Sequence, residues 1–122
     1  MPGSINFTSV VQHKFDTQAV PLPQKTTTIV QTNQGAFTDT QTIGTTDTAL
    51  TTGSIGTFGV CAFENLDPEN YVDIGLTDGS VVLYFQRIQP LERWPCRLVP
   101  GIQLRAKAHT AAVKLQKTIY EN

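Results

Sequence analysis

An all-β fold is predicted for this 122-residue chain: a β-sandwich, with a jelly-roll-like arrangement as the alternative, carrying an extended N-terminal arm. Three features predict it. Threonine recurs from Thr26 to Thr57 in KTTTIVQT, FTDTQTIGTTDTALTTG and IGTF, and side chains branched at Cβ are stiff at χ1 and suit a pleated surface. The stretch NYVDIGLTDGSVVLYFQRI places an Asp-Gly turn between an alternating segment and a β-branched, aromatic one, which is a hairpin pattern. In all, about seven or eight short strands spaced by turn residues are expected, which points to a β-sandwich whose two sheets share one core.

The elements follow in chain order. Ser4 to Val11 reads as a short strand, and the AVPLPQK stretch after it contains Pro21 and Pro23, each removing a backbone donor and fixing φ. Residues 1–25 are therefore expected to form an extended arm, and 26–122 a single sandwich domain. Such an arm either frays, as termini do, or orders against a neighbouring subunit through Phe7, Val10, Val11 and Phe15. In Ala36 to Ile43 the apolar residues do not alternate cleanly, which predicts a weakly specified register and short or irregular strands. Gly44, Gly53, Gly56 and Gly59 mark turns or bulges.

Val72, Ile74 and Leu76 alternate with Asp73, Gly75 and Thr77, and Asp78-Gly79 suits a two-residue turn. The returning strand, Val81 to Ile88, is apolar on both faces, with Leu83 and Phe85 on one and Val82 and Tyr84 on the other. That predicts a strand between two packed layers or beneath a subunit contact. Pro95 and Pro100-Gly101 read as breaks before a strand beginning near Ile102, in which Ile102, Leu104, Ala106 and Ala108 alternate with Gln103, Arg105 and Lys107. The last segment contains good helix formers. A strand is nevertheless expected, because Val113, Leu115, Lys117 and Ile119 share one face and Lys114, Gln116, Thr118 and Tyr120 the other.

Composition narrows the function. A formal net charge of −1 supplies no field to hold nucleic acid or anionic lipid. Charge is uneven, since the charged side chains before Val60 are Lys14, Asp16, Lys25, Asp39 and Asp47 alone. The opening MPGSINFTSVV lacks the basic and apolar regions of a signal peptide, and no run approaches the ~20 apolar residues of a membrane span. The expectation is a soluble chain assembled in the cytoplasm.

No enzymatic or cofactor motif is expected. His13 and His109 read as solvated surface residues, and neither a G-x-S-x-G elbow nor a P-loop is present. Cys61 and Cys96 read as ordinary buried thiols, with pairing across a sheet left open. Glu64, Asp67, Glu69 and Asp73 do not follow calcium-loop spacing, so a solvated turn capped by Asp67-Pro68 is the plainer reading. Arg87, Arg93, Arg97 and Arg105 are interspersed with acids. Trp94, the single tryptophan, either plugs the end of the sandwich or anchors a partner. Trp94 and Tyr84 complete the candidate partner interface with Phe7, Val10, Val11 and Phe15.

Four segments, Asn70-Tyr71-Val72-Asp73-Ile74-Gly75, Leu83-Tyr84-Phe85-Gln86-Arg87-Ile88-Gln89-Pro90, Arg105-Ala106-Lys107-Ala108 and Ile119-Tyr120-Glu121, resemble in their order small β-sandwich virion proteins encoded among the head and neck genes of tailed bacteriophages. The resemblance covers roughly Val60 to the end. It implies a compact sandwich without catalytic activity or cofactor, located in the virion and partnered with the major capsid protein or other virion proteins. A homo-oligomeric capsid decoration (cement) protein is the first reading, and a neck or tail completion protein the second. A host-surface carbohydrate-binding module is the alternative from another class. The family pattern has Pro-Gly-Glu after the phenylalanine strand, where this chain has Pro90-Leu91-Glu92.

Overall fold

The computed structural model describes residues 3–14, 16–31, 35–99 and 102–121, so the predicted anchor Phe15 lies outside the described residues. All its regular structure is β, with no helix among the described residues. The chain divides into two compact units, 1–34 and 35–122.

The first unit is an antiparallel hairpin of β1 (Gly3–Val11) and β2 (Leu22–Gln31). Ile5 faces Ile29 and Phe7 faces Thr27 across the ladder, and these apolar side chains are half-buried. The other face is polar, with Thr8 and Thr26 hydroxyls 2.8 Å apart and Thr28 donating to Asn6 Oδ1 at 3.0 Å. A register shift between Ser9 and Val11 leaves Val10 outside the pairing. The sequence reading divides the chain after Lys25; here the unit extends to residue 34, because Thr26 to Gln31 pair back onto β1. Pro23 is accommodated because both strands of a two-stranded ribbon are edges.

The second unit holds eight strands: β3 (Ala36–Ile43), β4 (Thr48–Ala49), β5 (Phe58–Asn65), β6 (Val72–Thr77), β7 (Val82–Ile88), β8 (Arg93–Arg97), β9 (Gln103–Ala108) and β10 (Val113–Glu121). They form two antiparallel four-stranded sheets, ordered β3-β10-β5-β8 and β4-β9-β6-β7. The first strand pairs with the last, the second with the seventh, the third with the sixth and the fourth with the fifth. That nested pairing, wrapped into two sheets, is a jelly roll.

The inward faces of the two sheets make one core. Ile43, Cys61, Phe63, Val113, Leu115 and Ile119 from one sheet meet Val72, Ile74, Ile88, Leu104, Ala106 and Ala108 from the other, with Leu50 and Leu98 from the connections. The predicted alternation of β9 and β10 is what fills this core, and the strand reading of the C-terminus holds.

Three local expectations are corrected. Ala36 to Ile43 forms one regular eight-residue strand, paired along its length with β10; its inward side chains are Phe37, Asp39, Gln41 and Ile43, so spatial alternation is present where hydrophobic alternation is not. The β6–β7 turn is not a two-residue one: Thr77 pairs with Val82, enclosing residues 78–81, and of the Asp78-Gly79 pair only Gly79 has positive φ, at 108°. Pro95 lies within β8 instead of breaking it. The N–H of Leu98 donates to Gly59 O and that of Asn65 to Glu92 O, so by alternation Cys61/Cys96 and Phe63/Trp94 are hydrogen-bonded pairs and Ala62/Pro95 falls between them. The nitrogen of Pro95 therefore points away from β5 on an edge strand, where no ladder bond is lost.

Candidate functional site

The most distinctive surface of the jelly roll is built from its two adjoining edge strands, β7 and β8, and the turn between them. β7 was expected between two layers or beneath a subunit contact; it is an edge, with Leu83 62% and Phe85 54% exposed. Ile74 pairs with Gln86 and Gly75 with Tyr84, leaving Phe85 as a bulge. Gly75 is required here, since a Cβ would lie 2.6 Å from Leu83 O and 2.9 Å from Tyr84 Cδ1. The turn into β8 closes with Glu92 N–H donating to Gln89 O at 3.1 Å and Gln89 N–H donating to Glu92 Oε1 at 2.7 Å. This conformation puts Leu91 at φ 66° with its side chain in solvent. Trp94 follows on β8, 44% exposed although it shares the face of buried Phe63. Val81, Leu83, Phe85, Leu91 and Trp94 thus expose apolar area along one contiguous stretch of chain. Each edge strand is also tied to its neighbour by an ion pair, Arg87 of β7 to Asp73 of β6 at 2.9 Å and Arg93 of β8 to Glu64 of β5 at 2.6 Å.

Tyr84 belongs to a different cluster, on the outer face of its sheet. Its hydroxyl donates to Asp47, which also accepts from Arg105 Nε at 2.8 Å. The Arg105 bond holds the Asp47 carboxyl below the usual carboxylate range. Burial, followed by the Asp47 bond, pushes the Tyr84 hydroxyl up to about 12. Beside it Arg87 lies 3.9 Å over the Tyr71 ring, which stacks on His109 at 5.1 Å. The tyrosines of this face are therefore engaged by neighbours of their own chain.

The other sequence-singled residues are not brought together. Phe7, Val10 and Val11 belong to the hairpin unit, where Val10 and Val11 are exposed and Phe7 half-buried. His13 is in that unit too, accepting from Val20 N–H at 3.0 Å, whereas His109 is in the jelly roll. The acidic stretch is a capped turn: Asp67 Oδ1 accepts from Glu69 and Asn70 N–H, each at 2.8 Å, and these bonds lower its carboxyl. Among the described residues no three His, Cys, Asp or Glu side chains are grouped to hold a metal ion.

One cluster escapes the sequence reading. Lys117 is fully buried; its Nζ donates to Gln41 Oε1 at 2.8 Å and Thr51 Oγ1 at 2.7 Å and lies 2.7 Å from Asp39 Oδ1. That oxygen is buried and lacks any donor of hydrogen-bonding geometry, so the ion pair itself compensates it. Thr51 Oγ1 donates to the other carboxylate oxygen, Asp39 Oδ2, at 3.1 Å. The signal was Lys117 on the apolar face of β10, matched by Asp39 and Gln41 where β3 departs from apolar alternation.

Comparison of the chain with protein-family models, with curated proteins and with solved structures returned no match.

Proposed function

We propose that this chain is a non-enzymatic structural protein of a virion, and specifically a decoration protein that binds the outer surface of the major capsid protein shell and stabilises it. The observation that carries the reading is the exposed apolar stretch Val81, Leu83, Phe85, Leu91 and Trp94 on adjoining edge strands. Exposed edges with apolar side chains invite pairing with another chain, and aromatic anchors concentrate binding energy. The jelly roll agrees with this by fold-level analogy, since viral capsid domains use it. A near-neutral chain also suits many short-range contacts, each weak and repeated over a symmetric shell, more than long-range steering. Copies would be assembled in the host cytoplasm and arranged as a homo-oligomer by the symmetry of the shell.

A carbohydrate-binding module is the second reading, favoured by the use of the same fold in lectins. Against it, Tyr84 and Tyr71 are already engaged within the chain, leaving Trp94 and Phe85 as exposed aromatic platforms. Counting copies in purified particles by gel densitometry tests the proposal. Hundreds of copies per particle are expected. A dozen or fewer would move the protein to the neck or tail, and its absence from particles together with glycan binding lost on Trp94→Ala would establish the second reading instead.

A further inference from the structure

We propose that Cys61 and Cys96 are a redox pair which forms a reversible cross-strand disulfide and locks the edge strand β8 onto β5. The two residues face each other directly in the β5–β8 ladder, with their Sγ atoms 3.3 Å apart. They occupy a hydrogen-bonded position, where Cα atoms lie about 5.5 Å apart, inside the range of about 4.4–6.8 Å that a disulfide spans. Closing the bond to about 2.05 Å therefore asks for side-chain rotation more than backbone movement.

The two sulfurs differ in the way that the chemistry requires. Cys61 is fully buried and Cys96 only partly so. The contact with Cys61 lowers the Cys96 thiol, whereas that same contact and burial raise the Cys61 thiol. Cys96 is thus the sulfur that ionises first and meets solvent, on a strand that is the edge of its sheet among the described residues. The oxidant is a low-molecular-weight disulfide of the glutathione class. The Cys96 thiolate attacks one of its sulfurs, forming a mixed disulfide and expelling one thiolate. Cys61 then attacks the Cys96 sulfur, and its proton leaves with the second small thiolate, which departs as a thiol. Overall two protein thiols lose two electrons and two protons, and one small disulfide becomes two small thiols. Cys61 never has to reach the surface.

The bond joins residues 35 positions apart in sequence, closing a loop that contains β6 and β7, and it pins the strand that carries Trp94. Reduced and oxidised forms should therefore differ in how firmly the β7–β8 edge is held.

The test uses the full chain incubated with oxidised glutathione, then alkylated and weighed intact. The expected product is a monomer lighter by about 2 Da, refractory to alkylation, restored by dithiothreitol, and melting about 10 °C or more above the reduced form. Cys61→Ala should retain glutathione on Cys96, and Cys96→Ala should leave Cys61 unmodified while the protein stays folded. Two alkylatable thiols after prolonged exposure, or disulfides formed only between chains, would overturn the proposal. So would glutathione attached to Cys61 in Cys96→Ala, because it would reverse the assigned order of attack.

Discussion

Two residues stand against ordinary rules, and each makes a measurable statement. Lys117 is an ammonium with no exposed surface. Removing such a charge from water costs several kcal/mol, offset only where its partners are complete. Asp39, Gln41 and Thr51 complete them. Asp39→Ala is therefore expected to lower stability by about 3 kcal/mol, read as a lower urea midpoint at unchanged slope. A loss below about 1 kcal/mol would show that water reaches Nζ. The double variant Asp39→Leu/Lys117→Met should recover most of the loss, because it removes both charges. Leu91 breaks a different rule. Its φ of 66° costs an L-residue about 1–2 kcal/mol, and its exposed side chain fills no cavity. Leu91→Gly should raise stability by about 0.5 kcal/mol or more, strain relief outweighing the freer unfolded chain. A lower urea midpoint would contradict that. Under the proposed decoration role, strain kept on an exposed apolar residue would serve a contact with the capsid, and the same variant should then attach less firmly to heads. Lys117 was legible to the extent that alternation placed it on the core face of β10. Its partners were not, because Asp39 and Thr51 are remote from it in sequence and meet it only through the β3–β10 pairing and the β4 connection.

At the scale of elements, legibility follows whether one strand carries its own signal. β6, β9 and β10 alternate clearly and are found where expected, with β7 returning from the same hairpin. β3 does not alternate in hydrophobicity, since two of its inward positions serve a buried charge; its register is imposed by β10. β8 was hidden by Pro95, which is harmless at a position that needs no ladder bond. The β6–β7 turn shows how a correct pair of turn residues can belong to a longer loop: Asp78 Oδ1 accepts from Ser80 N–H and Oγ, at 3.0 and 2.9 Å, which favours the wider turn. Of the hairpin, β1 was read as a short strand within an extended arm, and its pairing with β2 was not foreseen. A two-stranded ribbon is marginal alone, whereas the buried core, from Ile43 to Ile119, lies wholly in residues 35–122 among the described residues. The 35–122 piece should therefore fold by itself, with cooperative unfolding and a melting temperature within about 5 °C of the full chain. Loss of the cooperative transition would make the hairpin part of the domain's stability.

For the whole molecule, the sequence carried the all-β class and the idea of two sheets sharing a core, and stopped short of the topology. Among the described residues of the 35–122 unit, only the β6–β7 pairing joins consecutive strands; the nested pairs β5·β8, β4·β9 and β3·β10 are long-range, and no local pattern encodes them. The candidate site was partly legible for the same reason. Trp94 was conspicuous as the single tryptophan and β7 as a strand apolar on both faces, but only the sheet order makes β7 and β8 edges joined by the exposed turn at Leu91. If the central claim is right, those edges are where the chain meets a shell. The most direct measurement adds purified chain to heads assembled without it and follows both binding and the temperature at which the heads burst. Saturable binding at many sites per head, with a raised burst temperature, is the predicted result; no binding at micromolar concentration, or binding that leaves the burst temperature unchanged, would contradict it.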